Sequence, residues 1–371
     1  MNEYLSRKVK FLSFLSIIMV VYIHFTFCLT LDPNSSGEEV GLFNYFMESV
    51  FRNGITQYAV PLFFVISGYL FFQNMRGLKH EFISKYKSRF RTLFIPYVFW
   101  NSFWILFTLA FCFFGAKMNL LEKPLEEMQM ITTLQSWKLF LLNYILPSPN
   151  IPLWYVRDLM MLVLLSPIVY FLIKKWKLVP ILVCLVLFLV SYNPEPKLVE
   201  GSAPFVGFLM TSLLFFFLGA YFAIHRQDLF MKRWTDKKYP ILFGTIWILL
   251  ILFNAVCVVT YQDENLTRAV AKVFVFFGLA FVWTVYDVLI QKLDLRFLDK
   301  LLPYTFIIYV CHLGVNNIIY HFVYHFTGIS AAVQLVGYFV IPFLTICFCV
   351  LGGMVFNRFL PKFYRWVIGG R

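Results

Sequence analysis

The sequence is short of charge. Asp, Glu, Lys and Arg together make 14% of its 371 residues, against roughly a quarter in a soluble domain. With 60% apolar residues, too little polar side chain remains to cover a water-soluble globule, and that class is excluded. No polar stretch exceeds about 40 residues, well short of a typical domain. Residues 1–371 are therefore expected to form one membrane-embedded domain with no separate soluble part. Internal repeats and low-complexity tracts are lacking too. The seven cysteines (Cys28, Cys112, Cys184, Cys257, Cys311, Cys347, Cys349) lie in or at the ends of apolar runs, and none shows CxxC spacing. That argues against a disulfide framework or a zinc site and for small apolar packing roles. No Asp or Glu stands close in sequence to His24 or His312, and no HxxxH spacing links the two, so no metal is expected. The first apolar run is too long for a signal h-region and has no small-residue cleavage site after it; it reads as a retained helix.

What the chain does have is long apolar runs and 46 Phe. Ten stretches read as membrane helices: 9–30, 57–74, 92–116, 152–173, 178–192, 204–224, 240–260, 269–290, 303–324 and 333–357. The expected fold class is all-α, a polytopic bundle of about ten transmembrane helices. The net charge of +13 raises the question of nucleic acid, but its distribution answers it. Twenty-four of the 32 Lys and Arg fall in one alternate set of loops and termini, within 7–10, 76–91, 174–177, 226–238, 292–300 and 358–371. By the positive-inside rule this set is cytoplasmic, with both termini, and no nucleic-acid partner is needed. The other loops carry the acids, and two are long: 32–56, with an amphipathic piece from Phe43 to Phe51, and 117–151, with a candidate interfacial helix before PSPNIP.

Polar residues inside the spans are the candidates for chemistry, because an ionisable group in a bilayer is costly and is usually functional. The first span, Phe11 to Leu31, holds one, His24. If the helix enters the hydrocarbon near Val9, His24 lies about 22 Å along its axis, in the outer third of the core. Ser16 and Ser13 share its helical face. The second span carries Ser67, Gly68 and Tyr69; small residues there let a helix or a ligand approach the backbone. Arg89 and Arg91 stand at the cytoplasmic edge before Pro96. They are either topology markers or a phosphate clamp, to which the guanidinium fork is suited. Trp154, Arg157 and Asp158 open the fourth span, about one turn inside its outer boundary. Helix neighbours point roughly 100° apart, so Arg157 and Asp158 are not expected to pair with each other. In the ninth span Thr305, Tyr309, His312, Asn316 and Tyr320 make one polar stripe, either a hydrogen-bonded core stripe or the lining of a site.

Six stretches, taken in order, resemble one family. They are basic residues before a span ending VVYIHF, then VPLFFVISGYL, RFRTLFIPYVFW, PLWYVRDLM, FFFLGAYFA and YTFIIYVCHLG. Their order and spacing over nearly the whole chain resemble the integral-membrane acyltransferase 3 family of bacterial surface-glycan O-acyltransferases. The resemblance implies transfer of an acyl group, most often acetyl, from cytoplasmic acyl-CoA to a hydroxyl of a cell-surface or lipid-linked glycan at the plasma membrane. Acyl-CoA is then a co-substrate, with no metal. It matches His24 to the family's helix-1 histidine, Ser67, Gly68 and Tyr69 to its Ser-Gly-Phe/Tyr segment, and Arg89 and Arg91 to the basic positions before its third span. Many members place an Arg eleven residues before the histidine; here that position is Ser13, and Arg7, Lys8 or Lys10 are the substitutes at hand. The expected catalytic residues are His24 as general base, with a pKa suited to neutral pH, and Asp158. The expected substrate-binding residues are Arg89, Arg91, Ser67, Gly68, Tyr69, Trp154, Arg157, His312 and Asn316. The alternative is a transporter or flippase for a lipid-linked sugar or small solute, which the polar stripes would line. Transporters often show repeats and broken helices; neither is evident in the sequence.

Overall fold

The structure, a computed structural model, describes residues 2–25, 39–117, 150–191, 203–261, 263–293, 296–327 and 330–370. The part of the first span beyond Phe25 and the interfacial helix expected before PSPNIP lie outside them. Among the described residues the regular elements are all helices. In chain order these are α1 (Glu3–Ile23), α2 (Glu39–Phe51), α3 (Ala59–Phe72), α4 (Lys79–Arg89), α5 (Ile95–Lys117), α6 (Trp154–Leu164), α7 (Ser166–Trp176), α8 (Val179–Val190), α9 (Ala203–His225), α10 (Gln227–Met231), α11 (Lys238–Thr260), α12 (Glu264–Val288), α13 (Arg296–Asp299), α14 (Thr305–Thr327), α15 (Ala331–Phe359) and α16 (Pro361–Val367). Each of the ten expected spans coincides with one of these or with a pair. Among the described residues five runs are long and apolar enough to cross a membrane: Gly41–Phe72, Lys238–Thr260, Asn265–Lys292, Leu302–Thr327 and Ala331–Phe359. A sixth is possible if α6 and α7 count as one broken span, bent by 65° at Leu165.

Three differences from the sequence expectation bear on the site. First, α1 begins at Glu3, six residues before the expected start. The early start brings Lys8 into the bundle, where its ammonium lies 2.9 Å from both carboxylate oxygens of Asp287 at the end of α12. Trp234 N donates to the same carboxylate at 2.8 Å, the Tyr4 hydroxyl donates to it as well, and Trp283 lies beneath the ammonium. A buried charge is tolerated only when paired in this way. Second, α2 does not lie free on the surface. It continues through a 3₁₀ turn, Ile55–Tyr58, into α3, and packs on α11 and α15 with Asn44, Glu48 and Ser49 buried. Third, the span expected over 152–173 is broken.

Glycines set the closest helix contact. α3 lies along α9, and a Cβ at Gly68 would run into the Phe216 carbonyl, while one at Gly219 would run into the Val65 carbonyl. The small residue at mid-α3 therefore admits a helix backbone, as small residues do in membranes. The basic segments 7–10, 226–238, 292–300 and 358–371 meet at one end of the bundle. There Arg233 lies over Tyr4, Arg7 faces Asp299, Trp100 Nε1 donates to Val367 O at 3.0 Å, and Tyr304 meets Tyr364. At the opposite end Asn44 Nδ2 donates to Ala331 O at 2.8 Å and joins α2 to the start of α15.

Candidate active site

His24 terminates α1. Its backbone is no longer in the helical run (φ −88°, ψ 0°), and Arg52 Nε donates to Ile23 O at 3.0 Å, capping the end of α1 with a guanidinium. The His24 ring lies against the His312 ring of α14, with centroids 5.2 Å apart and planes 58° apart. Their hydrogen bonds fix the tautomers. His24 Nδ1 is 2.9 Å from Val20 O, and His312 Nδ1 is 2.8 Å from Tyr309 O. A carbonyl only accepts, so in each neutral ring Nδ1 carries the proton and Nε2 carries the lone pair. His312 Nε2 then faces the N–H of His24 at 3.4 Å. The lone pair of His24 Nε2 has no hydrogen-bond partner among the described residues. His312 is fully buried, while His24 is partly exposed.

His312 is ten residues from Leu302, where the apolar run of α14 begins, or about 15 Å along the helix at 1.5 Å per residue.

The polar stripe on α14 is engaged along its length. Thr305 Oγ1 donates to Leu302 O at 2.7 Å, the Tyr309 hydroxyl donates to Pro152 O, and Thr345 Oγ1 donates to Asn316 Oδ1 at 2.5 Å. The bond to Pro152, with that from Asn150 Nδ2 to Val310 O at 2.9 Å, pins the beginning of α6 beside the first third of α14. Asn150 N in turn donates to Asn101 Oδ1 at 3.0 Å. Trp154, Arg157 and Asp158 thus start beside the part of α14 that precedes His312.

The expectation that Arg157 and Asp158 do not pair is overturned. Arg157 Nε and NH2 donate to Asp158 Oδ1 at 2.9 and 2.8 Å, and Ser212 Oγ of α9 donates to Oδ2 at 2.9 Å. The Cβ directions diverge, but the long guanidinium stem folds back across the gap. Asp158 therefore braces α6 against α9. Among the described residues no carboxylate bonds to either imidazole of the His pair.

The remaining candidates divide. Ser67 Oγ lies 2.8 Å from the Tyr155 hydroxyl; the Tyr155 ring meets Tyr309 edge-on at 6.4 Å, and Arg89 is close enough to Tyr155 to interact with it electrostatically. Ser67, Tyr155 and Tyr309 thus link Arg89 with the helix that carries His312. Arg91 is exposed. Gly68 faces α9, and Tyr69 is fully buried, stacked on Phe230 at 3.7 Å; neither joins the His pair. Trp154 lies against Phe64. Sequence reading missed Tyr155, Asn150, Asn101 and Arg52. A signal existed for Arg52 alone, the single basic residue in the acidic stretch 32–56. No group of three or more His, Cys, Asp or Glu among the described residues could hold a metal.

A helical bundle with a tautomer-fixed imidazole pair at its centre is a frame for proton transfer within an apolar layer. The chain belongs to the acyltransferase 3 family: the family model described as "Acyltransferase domain" matches residues 9–358. It is also similar to the succinoglycan biosynthesis protein ExoH of Rhizobium meliloti (strain 1021), with 25% identity over 379 residues, covering 100% of this chain and 94% of that protein. No solved structure matches the chain.

Proposed function

We propose that this chain is a membrane O-acyltransferase that moves an acyl group, most often acetyl, from acyl-CoA to a sugar hydroxyl of a surface or lipid-linked glycan. The observation that carries the reading is the His24–His312 pair, read with the family membership and the succinoglycan relative. His24 Nε2 takes the proton of the sugar hydroxyl as the oxygen attacks the thioester carbonyl. The C–O bond forms, the C–S bond breaks, and the CoA thiolate leaves with the proton that His24 returns. While His24 is an imidazolium, its Nδ1–H points between Val20 O and His312 Nε2. Two acceptors thus orient the ring and offset its charge, the task of the third member in hydrolase triads. Direct transfer and an acyl-histidine intermediate both use the same nitrogen.

The donor approaches from the basic end, taken as cytoplasmic in a ten-span bundle with both termini inside. Arg89 holds a donor phosphate there, and Ser67, Tyr155 and Tyr309 line the way to His24. The acceptor approaches from the opposite side, where Asn316 stands one turn beyond His312 and Arg52 crowns the end of α1. The carrier reading has one observation in its favour, the 65° break between α6 and α7. One experiment separates the two: purified protein is given labelled acetyl-CoA and a glycan acceptor. Label in the glycan, or slow CoA-dependent hydrolysis, supports the enzyme; solute movement without CoA dependence and no label transfer would replace it with the carrier.

A further inference from the structure

A cleft of about 420 Å³ lies between α5, α14 and α15, with α16 across its end. Phe99, Trp100 and Phe103 of α5 form one wall, Cys311 of α14 the back, and Phe348 and Gly352 of α15 the other wall. On α14 the cleft extends from Ile307 to Val315, and on α15 from Phe348 to Phe356. Each stretch is about 12 Å at 1.5 Å per residue, which fits within one leaflet of a hydrocarbon core about 30 Å thick. We infer that this cleft seats one acyl chain of an acidic phospholipid, whose phosphate rests on Lys362 and Arg365 of α16. Such a lipid is a resident of the fold and not a reactant, so the acyl-transfer reading stands or falls separately.

Shape, chemistry and charge each point to that occupant. The opening is made by glycine: a Cβ at Gly352 would meet no atom within 4 Å, whereas one at the next residue, Gly353, would meet Tyr304 and Ile307. Gly353 therefore serves a helix contact, and Gly352 leaves space. Beyond Cys311 the cleft is bounded where Trp104 lies over Gly314. At the basic end Phe363 stands edge-on to Phe99 and to Phe356, at 5.6 and 5.8 Å, and so bridges α5 and α15. The lining is apolar, with no group to hold a water, and an apolar opening within a bilayer is filled by hydrocarbon.

The charge lies beside the residue that bridges the cleft. In α16 Tyr364 and Val367 are buried, while Lys362, Phe363, Arg365 and Trp366 are exposed. Aromatic and basic residues side by side are the composition of a helix lying at a membrane surface. Arg358, at the end of α15, is exposed next to them. Residues 300–371 contain no Asp or Glu, so this segment supplies no carboxylate to offset the three charges. A zwitterionic headgroup leaves them in excess; an anionic one neutralises them, as basic clusters at the end of a membrane helix do with acidic lipids. A chain seated against Cys311 also packs behind the helix that carries the neighbouring His312 and ties α5 to it.

The test is native mass spectrometry of the full-length protein released from discs of equal phosphatidylglycerol and phosphatidylcholine, with melting temperatures taken in each lipid alone. The parent should retain one phosphatidylglycerol in preference to phosphatidylcholine and melt higher in the acidic lipid. Lys362→Gln and Arg365→Gln should each cut the preference about fivefold, the usual contribution of one basic residue at an anionic surface. Lys175→Gln, which removes an exposed charge from α7, should leave it unchanged. Gly352→Leu places a side chain in open space and a better helix former in α15; it should lose both the retained lipid and the rise in melting temperature. Parental retention by Gly352→Leu would overturn the cleft as the seat. Equal retention of the two lipids by the parent would overturn the acidic headgroup. Displacement of the lipid by a long-chain acyl-CoA, but not by CoA, would give the cleft to the donor's chain instead.

Discussion

Removing Lys8 tests the packing argument most severely. Its ammonium and the Asp287 carboxylate are 1% and 0% exposed and 2.9 Å apart. Breaking a buried pair by deleting one partner costs about 3–5 kcal/mol, because the other charge is stranded. Lys8→Met should fall near the lower end, since Asp287 keeps the Trp234 N–H and the Tyr4 hydroxyl as donors. Asp287→Leu should cost more: it strands the ammonium with only the faces of Trp283, Tyr286 and Tyr4 for company and leaves the Trp234 N–H without its partner, itself about 1–3 kcal/mol. In the double variant no charge remains buried, so the loss should shrink to about the cost of the Trp234 N–H. The two single losses should therefore exceed the double loss by at least about 3 kcal/mol. Equilibrium unfolding in mixed detergent micelles measures all three. Losses that add to within about 0.5 kcal/mol, the scatter for independent sites, would refute the claim that this pair holds the N-terminal end of α1.

Arg89→Ala should raise the KM for acyl-CoA about ten- to hundredfold with little change for the acceptor, whereas Arg91→Ala should do little, because Arg89 faces Tyr155 and Arg91 is exposed; steady-state kinetics on the two variants decides it, and equal effects would dissolve the distinction. Glu81 predicts an acid step in stability. Its carboxylate accepts from the backbone N–H groups of Leu78, Gly77 and Arg76 at 2.9, 2.9 and 3.1 Å, and these hold its pKa below the ordinary value of 4.5. A carboxylate depressed on folding stabilises above its unfolded pKa and loses that contribution as pH falls through the folded value. Melting curves should show the parent losing stability below about pH 4.5 and Glu81→Gln lacking that step; parallel curves would remove Glu81 from the account.

The helices were legible because apolar runs of membrane length leave few other folds. The α14 stripe was legible because helical spacing puts Thr305, Tyr309, His312, Asn316 and Tyr320 on one face. Where α1 begins was not, because a lysine reads as a boundary unless its partner is known, and Asp287 lies 279 residues away. The pairing of His24 with His312 joins residues 288 apart, and no spacing rule reaches that far. Arg157 and Asp158 were misjudged by treating Cβ direction as side-chain reach, which fails for a residue with a long flexible stem. Gly68 illustrates the converse: its size signalled close approach, and the approaching group is the backbone of α9.

The most direct measurement of the central claim is the turnover of His24→Gln beside His312→Gln, each verified as folded and each tested for acyl-CoA binding. Glutamine keeps the bulk and the hydrogen-bonding capacity of histidine but cannot accept the proton. His24→Gln should lose about 10²–10⁴-fold in kcat, the contribution of a general base, and still bind acyl-CoA. His312→Gln, which alters only the partner of the Nδ1–H, should lose less. Near-parental turnover in a folded His24→Gln protein would contradict the account and leave the imidazole pair a structural contact.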